Sequence, residues 1–142
     1  MPEQRRIVLA VTGAGGTRLA AGVLKKLVAD ERVDHVDLMV SENGRKLLAF
    51  EQGVAEDADP LEVLLGQSSS DKVSVWNPET DMAGPPSSGS YRSWGMIILP
   101  CALGAAARIA QGVANTLIER HADVCLKERR QLILCVRETR GT

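Results

Sequence analysis

The stretch Thr12-Gly13-Ala14-Gly15-Gly16-Thr17 has the composition of a turn that meets an anion. Glycines let the backbone come close to a charged group, and a helix starting directly after them aims unpaired N–H groups and the positive end of its dipole at the same point. The implied chemistry is phosphate binding, from a nucleotide or a flavin, although the same residues also make an ordinary strand-to-helix turn. A dinucleotide G-x-G-x-x-G fingerprint needs glycine at position 18, where Arg18 stands, and a Walker A loop needs Gly-Lys-Ser/Thr, which the sequence lacks. Glu42 has the chemistry of a ribose acceptor for a nicotinamide module, but the glycine spacing fails.

Other reactive residue types give less. Cys101, Cys125 and Cys135 are odd in number, form no C-x-x-C, and two of them lie in apolar runs, so buried, reduced thiols are expected. Cys101 falls at a strand end, but its neighbours supply no general base, which favours packing over nucleophilic work. His35 and His121 show no ligand spacing with the cysteines, so no metal is expected. With 17 basic and 18 acidic residues mixed along 142, the chain carries no footprint for nucleic acid and no polybasic membrane stripe. The apolar run after Arg5-Arg6 is too short for a membrane span or signal peptide, and a cytoplasmic protein is expected.

The elements that must position these groups follow from alternating apolar runs and helical patterns, which predict an α/β doubly wound parallel sheet. The first strand is 7–12, followed by Leu19, Val23, Leu24, Leu27 and Val28 at helical spacing. The second is 36–40, with Ser41 as N-cap of a helix carrying Leu47, Leu48 and Phe50 toward Gly53. A short helix over 60–65, a strand over 73–76 and an irregular loop over 83–90 come next. A buried strand over 96–99, helices over 102–109 and 115–124, a charged turn or short helix over 126–130 and a last strand over 131–137 complete the pattern. In such a sheet ligands sit beyond the carboxyl ends of the strands, here 12–16, Ser41, 100–105 and Arg137-Glu138. Tyr91 and Trp94 are candidates for lining a pocket or filling an oligomer interface.

Specific blocks then carry a resemblance. Pro100-Cys101, the run from Asn115 through Ala122-Asp123-Val124 and Leu126-Lys127-Glu128-Arg129-Arg130, and Arg137-Glu138-Thr139 resemble the flavin prenyltransferase family. Those enzymes supply prenylated FMN to decarboxylases and belong among the homo-oligomeric flavin-containing Cys decarboxylase-like proteins. Thr12-Gly13-Ala14, Glu51 and Ser88-Gly89-Ser90 fall at family positions in family order, so the likeness covers most of the chain.

The resemblance implies one flavodoxin-like, Rossmann-like FMN-binding domain over 1–142, in which flavin is a substrate. Dimethylallyl from dimethylallyl phosphate would join N5 and C6 of reduced FMN without metal. By position, Gly13, Ala14, Gly15, Ser41, Ala102, Leu103, Gly104, Ala105 and Arg137 would hold FMN. Arg120, Lys127 and Arg137 would hold the departing phosphate, Ser88, Gly89 and Ser90 would form the prenyl-site loop, and Glu51 and Glu138 would serve the proton transfers. Guanidinium and ammonium groups suit a leaving phosphate, and a carboxylate suits removal of a ring proton. Without the resemblance, Arg120, Lys127, Arg129 and Arg130 read as a solvated charged face.

The chain departs from the family pattern at Gly15, where serine is usual, and at Ala102 and Ala105, where serine and threonine are usual. Arg140 replaces a proline, and a following family segment with a tyrosine and a basic residue is expected to be absent. Two functions follow: a flavin prenyltransferase, completed or not by another chain, and a non-catalytic FMN-binding or assembly subunit of a decarboxylase system. A homo-oligomer with flavin near subunit boundaries is implied, and the small-residue helix over 105–110 suits close packing between subunits.

Overall fold

The computed structural model describes residues 4–137. Strands β1 (Arg6–Val11), β2 (His35–Val40), β3 (Val73–Trp76), β4 (Gly95–Ala102) and β5 (Gln131–Arg137) form one sheet in the order β3-β2-β1-β4-β5. Every pairing is parallel, so all five strands end at the same rim. The predicted doubly wound architecture is therefore present, with the order reversing at β1.

Central β1 is covered on both faces, which is why Val8 through Val11 are all apolar and inaccessible to solvent. Strand alternation sends Val8 and Ala10 to one core with helices α4 (Leu103–Gln111) and α5 (Leu117–Lys127). It sends Leu9 and Val11 to the other, with α1 (Thr17–Ala29), α2 (Glu42–Gln52) and α3 (Pro60–Leu65). Helix α1 buries Thr17, Ala20 and Leu24, one face at helical spacing. Ser41 caps α2 by accepting from Gly44 N at 3.0 Å, and Gly53 ends it at φ 67°, a left-handed conformation suited to glycine.

Several boundaries differ from the sequence expectation: β1 covers Arg6–Val11 in place of 7–12, β2 starts at His35, β4 at Gly95, and α4 ends at Gln111. The strand expected over 96–99 runs on through Pro100 to Ala102, with a shift of register against β5 between Ile98 and Cys101. Helix α4 starts at Leu103, one residue later than expected, because Ala102 remains extended. Helix α5 starts at Leu117, since Thr116 caps it by accepting from Ile118 N, and it continues beyond position 124 to Lys127 before Arg129 turns left-handed at φ 56°. The 83–90 segment holds a 3₁₀ turn, Pro85–Ser87, with Pro86 buried.

The segment between β3 and β4 is bound to the sheet by polar groups. Asp37 is buried within β2 and accepts from Arg6 at 3.0 Å, Trp76 Nε1 at 2.8 Å and Tyr91 OH at 2.9 Å. Arg6 also stacks on the Tyr91 ring at 4.3 Å. Buried His121 joins Pro86 O through Nδ1 and Ser93 Oγ through Nε2. The Tyr91 hydroxyl satisfies a buried carboxylate. Trp94 is half exposed. Ala105 and Ile109 of α4 face the chain's own core with Ala106 packed against it, while Gly104, Ala107 and Ala110 are exposed.

Candidate functional site

At the carboxyl rim, Thr12 joins two strand ends. Its N–H and hydroxyl both donate to Pro100 O, at 3.1 and 2.9 Å, and its Oγ1 accepts from Ala102 N at 2.7 Å. The first turn and the start of α4 are thus one unit. Between them and α2 lies a cleft of about 250 Å³ whose walls include Thr12, Gly13, Ser41, Asn43, Ala102 and Ala105. Gly13 has a packing reason as well: a Cβ there would stand 2.6 Å from Asn43 Cβ.

Helix starts along this rim differ in what occupies them, and that of α1 opens on a separate hollow lined by Gly16, Arg18, Glu51 and Gln52. Glu51 reaches from α2 to α1, accepting from Thr17 N at 2.9 Å, Thr17 Oγ1 at 2.6 Å and Gly16 N at 3.3 Å. Glu79 accepts from Glu42 N at 3.2 Å and from Arg45 at 3.1 Å, so the start of α2 also meets a carboxylate. At α5, Thr116 and Glu119 serve the same purpose. Helix α4 has Ala102 as its N-cap and no side-chain cap, leaving its first N–H groups for an anion in the cleft. Arg108 borders the same cleft, as does Glu119, its partner at 3.2 Å.

An open helix start, a guanidinium and the Ser41 hydroxyl converge on one cleft, donors suited to the phosphate-bearing end of a flavin mononucleotide, while Glu42, Glu79 and Glu119 also border it, with Glu79 tied to Arg45 and Glu119 to Arg108. At about 250 Å³ it is smaller than pockets that enclose a whole cofactor. It would hold one end of such a ligand.

The remaining predicted residues fall into separate groups. Ala14 is buried in the first turn, and Leu103 and Gly104 are exposed at the start of α4. Arg137 lies beside Gly16, where a Cβ would meet its Nη1 at 2.8 Å. Glu51 is held below the usual carboxylate range by the Thr17 hydroxyl and backbone hydrogen bonds, with Arg137 adding in the same direction. It is an ionised carboxylate at neutral pH, as a base requires. Glu138 lies outside the described residues.

Arg120 and Lys127 share a different hollow, of about 380 Å³, with Ser87 and Gly89. The structure therefore brings two of the three predicted phosphate-binding cations together with the predicted loop, while Arg137 stands with Gly16 and Glu51. Lys127 pairs with Asp123 at 2.9 Å, and Ser88 and Ser90 bond to each other at 2.8 Å. Arg130 is no solvated charge: it donates to Tyr91 O at 2.9 Å and Gly89 O at 3.0 Å, tying the loop to β5. Cys101 and Cys125 are buried, and burial pushes both thiols up, away from nucleophilic character. Among the described residues no histidine, cysteine or carboxylate cluster has metal-site geometry, and no helix is long and apolar enough to cross a membrane.

Sequence reasoning missed Glu79, Arg108 and Glu119. The last had a signal, because Thr116-x-x-Glu119 is the spacing of a capping box.

Comparison with known proteins gives consistent matches. A family model described as Flavoprotein matches residues 1–139. Flavin prenyltransferase UbiX of Pseudomonas aeruginosa is 38% identical over 143 residues, covering 97% of this chain and 67% of that protein. The enzyme of the same name from Streptomyces coelicolor is 37% identical, covering 93% of this chain and 66% of that protein. Among solved structures, AnUbiX in complex with FMN and dimethylallyl pyrophosphate is similar at 40% identity and TM-score 0.79, covering 99% of this chain and 68% of that one. A dodecameric FMN-dependent UbiX-like decarboxylase from Escherichia coli O157:H7 is similar at 32% identity and TM-score 0.79, covering 96% of this chain and 69% of that one. The chain spans about two thirds of the length of these curated relatives.

Proposed function

Because the chain belongs to the Flavoprotein family, we propose that it binds FMN at the cleft between the 12–16 turn and α4 and acts as a flavin prenyltransferase. The observation that carries this reading is the hollow that Arg120 and Lys127 line together with Asp123, Glu128 and the 87–89 loop, where the two cations suit an allylic phosphate or diphosphate and Lys127 would exchange Asp123 for it. When bound in reduced form, FMN supplies N5 and C6 as the positions that receive the dimethylallyl carbons.

The protein's own groups have defined work. Arg120 and Lys127 stabilise phosphate as the donor C–O bond breaks and the oxygen keeps the electron pair. Ionised Glu51, held beside Gly16 and Arg137, would take the ring proton. Thr12 fixes the cleft, and the backbone around Gly13 and Ala102 receives the cofactor's phosphate end. A homo-oligomer is part of this reading, supported by the likeness to a dodecameric UbiX-like protein. A cytoplasmic location accords with it.

A second reading, an FMN-binding or assembly subunit without turnover, is favoured by Ala102 and Ala105 at the cleft and Gly15 in the first turn, none of which offers a hydroxyl. One experiment separates the two. Purified protein is mixed with FMN, reduced with dithionite, and given dimethylallyl phosphate or, in parallel, dimethylallyl pyrophosphate. A flavin mass increase matching one added C5 unit supports the transferase; bound but unaltered FMN overturns it in favour of the subunit; protein that stays colourless overturns both.

A further inference from the structure

We propose that Arg108, oriented by Glu119, is a phosphate ligand for the flavin, an inference that rests on the FMN reading above. Arg108 projects from the second turn of α4 and, like helical side chains generally, leans toward the helix N-terminus. Its Nη1 lies 3.4 Å from the place a Cβ would take on Gly104, so the guanidinium rests along the first turn of the uncapped helix. The Arg108 side chain is 41% exposed and borders the cleft that Ala102 and Ala105 also line.

Glu119 is what makes this placement specific. Its side chain is 3% exposed, and it accepts from Asn115 N at 3.1 Å, Thr116 Oγ1 at 2.5 Å and Arg108 Nε at 3.2 Å. Three donors fix the carboxylate, and the carboxylate fixes one edge of a rigid guanidinium. Arginine carries five N–H donors, so holding Nε keeps the two terminal amino groups available for another acceptor. Ala102 and Ala105 have no hydroxyls to give a phosphate, and Arg108 replaces them with a charge-assisted contact at the same helix start. Arg108 is thus a binding residue and Glu119 a positioning residue.

The alternative is a clamp between α4 and α5 with no ligand role, and a ligand lacking the phosphate tells the two apart. FMN and riboflavin are titrated separately into wild type, Arg108→Ala, Arg108→Lys and Glu119→Gln, following flavin fluorescence, with circular dichroism to check the fold. Arg108→Ala is expected to weaken FMN by roughly tenfold or more, as loss of a charge-assisted bond implies. Riboflavin affinity should not move. Arg108→Lys should recover part of the loss, and Glu119→Gln should show a smaller loss confined to FMN. Equal weakening of both flavins, or no change in either, overturns the proposal while leaving FMN binding intact. Wild type that binds neither flavin overturns the cofactor reading and this inference together.

Discussion

Glu51 sits 2.9 Å from Thr17 N and 2.6 Å from Thr17 Oγ1, so a carboxylate from α2 closes the start of α1. Two helices on one face of the sheet are thereby joined at the rim where the ligand is proposed to bind.

That contact makes stability depend on pH in one direction. The folded-state pKa of Glu51 is depressed, so its contribution is present above the ordinary glutamate range, near 4.3, and is lost as pH falls through the lower folded value. Glu51→Ala should cost about 1 kcal/mol at pH 7, the usual scale for a helix cap. The deficit should shrink toward pH 3. Urea denaturation at both pH values checks this, and a deficit independent of pH contradicts it.

The Asp37 network is expected to be the most sensitive polar site in the fold. Asp37→Ala leaves Arg6 beside a vacated buried position and should cost about 3 to 5 kcal/mol. Tyr91→Phe removes one hydroxyl donor and should cost about 1.5 to 3 kcal/mol. Thermal and chemical unfolding of the two variants would show the difference.

His121 should contribute an acid slope. Burial lowers its folded pKa below that of the unfolded chain, so protonation favours unfolding. Stability is complete above about pH 6.5 and declines as pH falls from there toward the folded value. The slope between pH 7 and 5 should flatten in His121→Gln, as measured by midpoint shifts in urea.

Arg120 and Lys127 should affect the prenyl donor and leave FMN alone. Arg120→Ala is expected to raise KM for dimethylallyl phosphate by roughly 10- to 100-fold, the scale of one charge-assisted bond, with FMN affinity unchanged. Lys127→Ala should do less, because Lys127 is 73% exposed and already paired with Asp123. Steady-state kinetics alongside FMN titration gives both readings.

Local features were legible in the residues. The periodicity predicts α3, β3 and β5 with the bounds observed, and Ser41 caps its helix as its type and position imply. Long-range polar pairings were not. Glu51 finds Thr17 from 34 residues away and Tyr91 finds Asp37 from 54, and neither separation leaves a periodic trace. Asp37 in the run His-Val-Asp-Leu-Met-Val was visible as a charge inside an apolar strand, but its partners come from three other segments. The grouping of Arg120 with Lys127 required α5 to extend past position 124, which rests on hydrogen bonds made near Glu128.

Thr12 holds Pro100 and Ala102 with three short bonds before any ligand arrives. An incoming cofactor therefore spends none of its affinity on ordering that wall, and encounter should proceed without a slow rearrangement there. Replacing this one hydroxyl would loosen a finished mould, and the penalty would surface as weaker ligand retention more than as lost fold.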